Sequence, residues 1–192
     1  GFLWAGETAN NTGDWSEDGH GPKHCGYSGA ETGHINERLN PYNKEQYRSM
    51  PTTALQSDPC YAIVIYFIGA NNCNDPRRTG NRIINEWTQS VDRVLANCAN
   101  KGKTLFVRVT IPAEASPYQK YMANNTDRLV PLNNAIRSYA PAIPHVRHIV
   151  ADCEKVAHDV GDDGLHFLPA GYGQIENVLL TSITNGLALD SQ

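Results

Sequence analysis

Eight consecutive residues, Tyr61-Ala62-Ile63-Val64-Ile65-Tyr66-Phe67-Ile68, carry no charge and are rich in β-branched and aromatic side chains. A strand with one wet face alternates apolar and polar residues. This run does not alternate, so both of its faces must be buried, as in the centre of a parallel sheet covered by helices. It breaks at Gly69-Ala70-Asn71-Asn72-Cys73-Asn74-Asp75-Pro76. Polar groups just past the carboxyl end of a central strand are where open α/β sheets bind ligands.

The chain beyond it alternates between the two periodicities. Ile83, Ile84, Trp87, Val91, Val94, Leu95 and Cys98 recur at helical spacing and predict an amphipathic crossover helix that Gly102 stops. Thr104–Ile111 reads as the next strand, closed by Pro112. Leu129, Leu132, Ala135 and Ile136 mark a second helix over Arg128–Tyr139, and Val146–Val150 a weaker strand. Ile175, Val178, Leu179, Ser182 and Ile183 line a final helix. Upstream, Phe2-Leu3-Trp4-Ala5 reads as a first buried strand that ends at Gly6. Such alternation predicts a three-layer α/β/α sandwich around a central parallel sheet. No internal repeat or linker interrupts it, so residues 1–192 are expected to form a single domain.

The net charge of −4 leaves no electrostatic footprint for nucleic acid or an anionic membrane, and no apolar run is long enough to span a bilayer. The chain is expected to be a monomer whose substrate is a small molecule or a polysaccharide. Five cysteines, Cys25, Cys60, Cys73, Cys98 and Cys153, include no Cys-x-x-Cys pair, which argues against zinc ribbons and thioredoxin-like chemistry. Two disulfides and one free thiol would fit an extracellular protein. The opening Gly1-Phe2-Leu3-Trp4 reads as a processed start, which also suits secretion. Asn10-Asn11-Thr12 and Asn124-Asn125-Thr126 are acceptor sequons that matter only in a glycosylating host.

Chemistry concentrates in Asp162-Asp163-Gly164-Leu165-His166-Phe167-Leu168-Pro169. A carboxylate that accepts from one ring nitrogen of a histidine fixes its tautomer and leaves the other nitrogen to take a proton from a hydroxyl. Taken alone, the tetrapeptide reads rather as a helix cap at Asp163 followed by a surface histidine at His166. His145 and His148 read as surface residues, and no metal-ligand set is apparent. Trp15, in an exposed loop rich in Gly, Asn, Asp and His, could stack on a sugar or lid the core. Gly26-Tyr27-Ser28-Gly29-Ala30 partly matches a nucleophile elbow, with Ala at its last position and no strong strand leading into it.

In the predicted sheet Gly6–Asn10, Gly29, Gly69–Asn72 and Asp163–His166 all follow strands and converge on one edge. In order, they resemble the four blocks of the SGNH, or GDSL-like, hydrolase superfamily over essentially the whole chain. The best matches are Tyr27-Ser28-Gly29-Ala30, Gly69-Ala70-Asn71-Asn72 and Asp163-Gly164-Leu165-His166. The resemblance implies a flavodoxin-like α/β/α fold and an ester hydrolase that needs no metal or organic cofactor. By position it makes Gly29 and Asn71 the oxyanion donors, His166 the base and Asp163 its orienter. The first block reads Gly6-Glu7-Thr8 where the family has Gly-Asp-Ser, so Thr8 stands at the nucleophile position. Its extra methyl restricts the rotamers of the hydroxyl and crowds its attack. Asn72 stands where the third block usually has Asp.

Placed on the family fold, Cys60 and Cys98 fall at the bottom of the sheet and Cys25 and Cys73 in the two donor loops. The resemblance thus suggests Cys60–Cys98 and Cys25–Cys73 disulfides, with Cys153 free. Three functions follow: an esterase for carbohydrate O-acetyl or other small acyl esters, a non-catalytic relative that binds a glycan or acylated ligand at the same edge, and an α/β-hydrolase using Ser28. The last is disfavoured because that fold's acid comes from a loop separate from the histidine's.

Overall fold

Strand β1, Ala62–Tyr66, lies within the apolar run, and β2, Thr104–Val109, pairs with it in parallel through Val64 opposite Phe106. The expectation that both faces of the run are buried is corrected at Ile63, which is exposed, because among the described residues β1 is an edge strand and β2 the central one. Strand β3, Arg147–Ala151, pairs in parallel on the other side of β2, with Phe106 opposite His148. The computed structural model describes residues 31–33, 62–98, 101–113, 126–141, 146–156, 159–162, 164 and 166–188. Among these the sheet order is β1-β2-β3. The expected first strand, Phe2–Ala5, lies outside the described residues, as do Thr8, Trp15, Ser28, Gly29 and Asp163.

All six residues of β2 are buried, Thr104 and Arg108 included, as expected of a central strand covered by helices on both faces. Alternate residues then serve opposite cores. Leu105 and Val107 pack with Ile175, Leu179 and Ile183 of one helix. Phe106 packs with Tyr66, Trp87, Val91, Leu132 and Ile136 on the other face. The three layers are therefore those predicted, and the fold is α/β with a parallel sheet.

The short helix α1, Ala70–Asn74, occupies the segment read from sequence as a plain loop. It starts after Gly69, whose φ of 133° is a conformation that side-chain-bearing residues rarely adopt. A Cβ there would also sit 2.7 Å from Leu132 Cδ2. Helix α2, Gly80–Asn97, is capped by Thr79, whose side chain accepts from the Arg82 N–H. Its buried residues Ile83, Trp87, Ser90, Val91, Val94 and Leu95 trace one helical stripe. The helix ends at Cys98 rather than at Gly102, and a short 3₁₀ turn, Lys101–Lys103, leads into β2.

Helix α3, Thr126–Ser138, packs beside α2 and pins the end of β2. The Asn133 amide accepts from the Ile111 N–H and donates to the Ile111 carbonyl, both at 2.8 Å. Helix α4, Pro169–Ala188, begins six residues before the apolar stripe inferred from sequence, with proline at its first position, where the missing N–H costs nothing. Arg147, the first residue of β3, donates to the Gly186 carbonyl near the end of α4 at 3.3 Å. The helix thus runs antiparallel to the strands, and the loop before it returns to their carboxyl edge.

Two readings are corrected. Cys73, Cys98 and Cys153 are all free and buried thiols, so neither the Cys25–Cys73 nor the Cys60–Cys98 disulfide is formed. Cys73 and Cys153 are fully enclosed by apolar neighbours, and burial pushes both thiols up to about 12. Cys98 instead turns its thiol to the Val94 carbonyl at 3.4 Å, as a residue ending a helix can. His148 is likewise not a surface residue. Its ring lies 5.6 Å from that of Phe106 and 6.3 Å from that of Tyr139, and neither buried ring nitrogen has a partner. Burial, aided by the nearby Arg108 guanidinium, lowers its pKa to about 4.

Candidate active site

Asn71 is the second residue of α1 and is partly buried at the carboxyl end of β1. Its position is fixed by the residues on either side. Gly69 provides the turn, and its carbonyl accepts from the Cys73 N–H at 3.0 Å. Asn72 is fully buried and faces another segment of the chain, forty residues earlier in sequence. Its Oδ1 accepts from the Thr32 N–H at 3.0 Å, and its Nδ2 donates to Thr32 Oγ1 at 2.9 Å and to Glu86 Oε2 at 3.4 Å. Because a backbone N–H can only donate, the amide orientation is determined by chemistry.

A second tie runs parallel to the first. The Arg78 guanidinium, mostly enclosed, bonds Glu31 and Glu86 and also reaches Asp75 at 3.3 Å. Arg82 holds the other oxygen of Glu86 at 2.9 Å. Asp75 is further held by the backbone and side chain of Arg77, which draws its carboxyl well below the usual range. Arg128 donates to the Asp75 carbonyl at 2.7 Å, which brings α3 into the same cluster. Sequence reasoning had assigned Asn72 only as a departure from the family pattern. Here it couples residues 31–33, just past the second block, to the third. The two donor segments were expected to be joined by a disulfide. An amide and a guanidinium join them instead.

The histidine side is built differently. Val160 and Phe167 form an isolated antiparallel bridge, and the Gly161 N–H donates to the His166 carbonyl at 2.8 Å. Gly164, with φ 69°, makes the tight turn between them, and its N–H donates to the Gly161 carbonyl at 2.8 Å. The Leu168 N–H donates to the Asp159 carbonyl at 2.9 Å, which closes the base of the loop. Gly171 lets α4 approach so closely that a Cβ there would lie 2.4 Å from the Asp159 carbonyl oxygen. The Phe167 and Tyr172 rings meet edge to face at 5.6 Å. His166 stands where this turn closes onto the bridge and is exposed to solvent.

Between the two sides, the ends of β2 and β3 form a polar ledge. Thr110 Oγ1 donates to Asp152 at 2.8 Å and accepts from the Cys153 and Glu154 N–H groups. Arg137 grips Asp152 with two nitrogens at 2.8 Å, which lowers that carboxyl to about 2. This ledge was not read from the sequence, since its members are scattered over three elements. Among the described residues no cluster of His, Cys, Asp and Glu is arranged to hold a metal ion, and no helix is long and apolar enough to cross a membrane.

The structure therefore brings the Asn71 segment and the His166 loop to one edge of the sheet. The other assigned residues, Thr8, Trp15, Gly29 and Asp163, are outside what it describes. An amide donor and an imidazole at one edge are what acyl transfer needs: a donor for the developing oxyanion and a base for the hydroxyl. No curated protein matches the chain. Residues 4–174 match the model of the GDSL-like lipase/acylhydrolase family, and the chain belongs to that family of ester hydrolases.

Proposed function

We propose that this chain is a secreted, monomeric ester hydrolase that removes acetyl or other small acyl groups from carbohydrates. The observation that supports it is the shared sheet edge of Asn71 and His166 within a family match over residues 4–174. In this reading the Thr8 hydroxyl attacks the ester carbonyl carbon as one His166 ring nitrogen takes its proton. Asp163 holds the other ring nitrogen and stabilises the imidazolium. The carbonyl oxygen becomes an oxyanion and receives the Gly29 N–H and the Asn71 amide. His166 returns the proton to the departing alkoxide, and water then releases the acyl group by the same route in reverse. Trp15 would stack on the sugar.

The test is release of acetate from an acetylated oligosaccharide by the full-length protein and its Thr8→Ser variant. A faster Thr8→Ser enzyme assigns Thr8 as the nucleophile, whereas an unchanged rate in Thr8→Ala moves that role to another hydroxyl. One observation favours a second reading, a non-catalytic relative that binds a glycan or acylated ligand. The first block reads Glu7-Thr8 in place of Asp-Ser. Binding of the acetylated oligosaccharide without any acetate release would select it.

A further inference from the structure

Asn72 does more than fill a family position. Its amide is fully buried, and so is its partner Thr32. All the polar atoms of the Asn72 side chain are used: one acceptor for the Thr32 N–H and two donations, to Thr32 Oγ1 and Glu86 Oε2. Glu86 is in turn shared with Arg78 and Arg82, and Arg78 reaches back to Glu31, the neighbour of Thr32. The two ties therefore connect the same pair of segments, one through a neutral amide and one through a guanidinium.

Each segment adjoins an assigned donor. Asn72 follows Asn71 directly, and Thr32 lies three residues after Gly29. Three residues span at most about 11 Å, so fixing Thr32 restricts where the Gly29 backbone can go. Given the reading of the site above, on which this inference rests, we infer that Asn72, Arg78 and Glu86 are positioning residues that set the spacing between the two oxyanion donors.

The chemistry also accounts for asparagine where the family usually has aspartate. An aspartate would still accept from the Thr32 N–H. Its second oxygen, however, would face Glu86 Oε2 at the place where the Asn72 Nδ2 now donates over 3.4 Å. Two carboxylates at that distance repel. Asparagine at 72 and glutamate at 86 are thus a matched pair, and the match can be reversed by exchanging which of them carries the charge.

The test is steady-state hydrolysis of p-nitrophenyl acetate by the full-length protein, in the wild-type and Thr8→Ser backgrounds, with kcat and KM determined separately. Asn72→Leu is expected to lower kcat about tenfold to a hundredfold, the scale of a misplaced catalytic group, with KM changed less than about threefold. Asn72→Asp is expected to lower kcat by about tenfold, and the added Glu86→Gln to recover most of it, since the facing charge is then gone. Val94→Ala, a cavity in the buried stripe of α2 away from the ties, serves as the control. It should lower the melting temperature and leave kcat as it was. The positioning role is overturned if Asn72→Leu and Asn72→Asp keep wild-type kcat while His166→Ala is inactive. It is equally overturned if Val94→Ala lowers kcat as much as Asn72→Leu, or if Glu86→Gln fails to rescue Asn72→Asp. If His166→Ala keeps the wild-type rate, or no background turns over, the reading of the site itself falls, and the positioning role with it.

Discussion

The two sides of the candidate site are held in place by different means. The Asn71 side is fixed by side chains: a buried amide pair, one guanidinium shared among three carboxylates, and an arginine from α3 on the Asp75 carbonyl. The His166 side is fixed by backbone: a two-residue bridge, a turn at Gly164, and a helix start that touches the Asp159 carbonyl through Gly171. The difference suits the task proposed for each. An oxyanion donor must stay still while charge develops beside it, and enclosed, fully bonded polar groups do not reorganise. A base must reach a hydroxyl and also meet water. A turn of main chain can present it in the open without enclosing it.

The comparison predicts that the two sides break under different kinds of change. On the donor side, Arg78→Met removes the cation that three carboxylates share. Glu31 and Glu86 are both mostly enclosed, so the loss should cost about 3 kcal/mol, the scale for removing one partner of a buried ion pair. A fall in the urea midpoint with unchanged m measures it. A loss below about 0.5 kcal/mol would mean that the cluster acts as an exposed one. On the base side, Gly171→Ala should cost about 2 kcal/mol, the scale of overpacking, because the clashing atom is backbone and cannot rotate away. Its activity should fall more steeply than its stability, since the His166 loop shifts with Asp159. Equal falls in both variants would erase the distinction between the sides.

The smallest expected effect lies away from both sides, near the start of β3. His148 is buried with both ring nitrogens unpartnered, and its pKa is lowered to about 4 from an ordinary value of 6.5. Below 6.5 the unfolded chain binds a proton that the folded chain refuses until about 4. Stability is therefore full above pH 6.5 and falls as pH drops through that window. His148→Phe keeps a ring against Phe106 and Tyr139 and removes the titration. The wild type should lose about 1–2 kcal/mol more than the variant between pH 7 and pH 4, allowing for solvent screening at a half-buried site. Parallel acid limbs in chemical denaturation at the two pH values would show that some other group titrates.

Much of the scaffold was legible because it is written in local periodicity. The apolar run Tyr61–Ile68 pointed to a parallel strand, found at Ala62–Tyr66 although Ile63 is exposed there, and the stripe from Ile83 to Leu95 pointed to its crossover helix. The turn at Gly69 was legible for the same reason, since turn chemistry is local. What escaped was non-local. The Asn72–Thr32 pair spans forty residues, and nothing in either neighbourhood announces the other. A cysteine buried in a core has the same sequence surroundings as one in a disulfide, which is how Cys73 and Cys98 were misread. His148 was taken for a surface residue because its aromatic neighbours, Phe106 and Tyr139, come from other elements.

The central claim is that Asn71 and His166 act on one reacting ester, and the direct measurement is kcat/KM of the full-length protein toward p-nitrophenyl acetate with Asn71→Ala and His166→Ala. Asn71→Ala is expected to lose about a hundredfold to a thousandfold, the cost of an oxyanion donor, and His166→Ala about a thousandfold or more, with both variants folded. Folded variants that hydrolyse the ester within a few-fold of the wild type would contradict that claim.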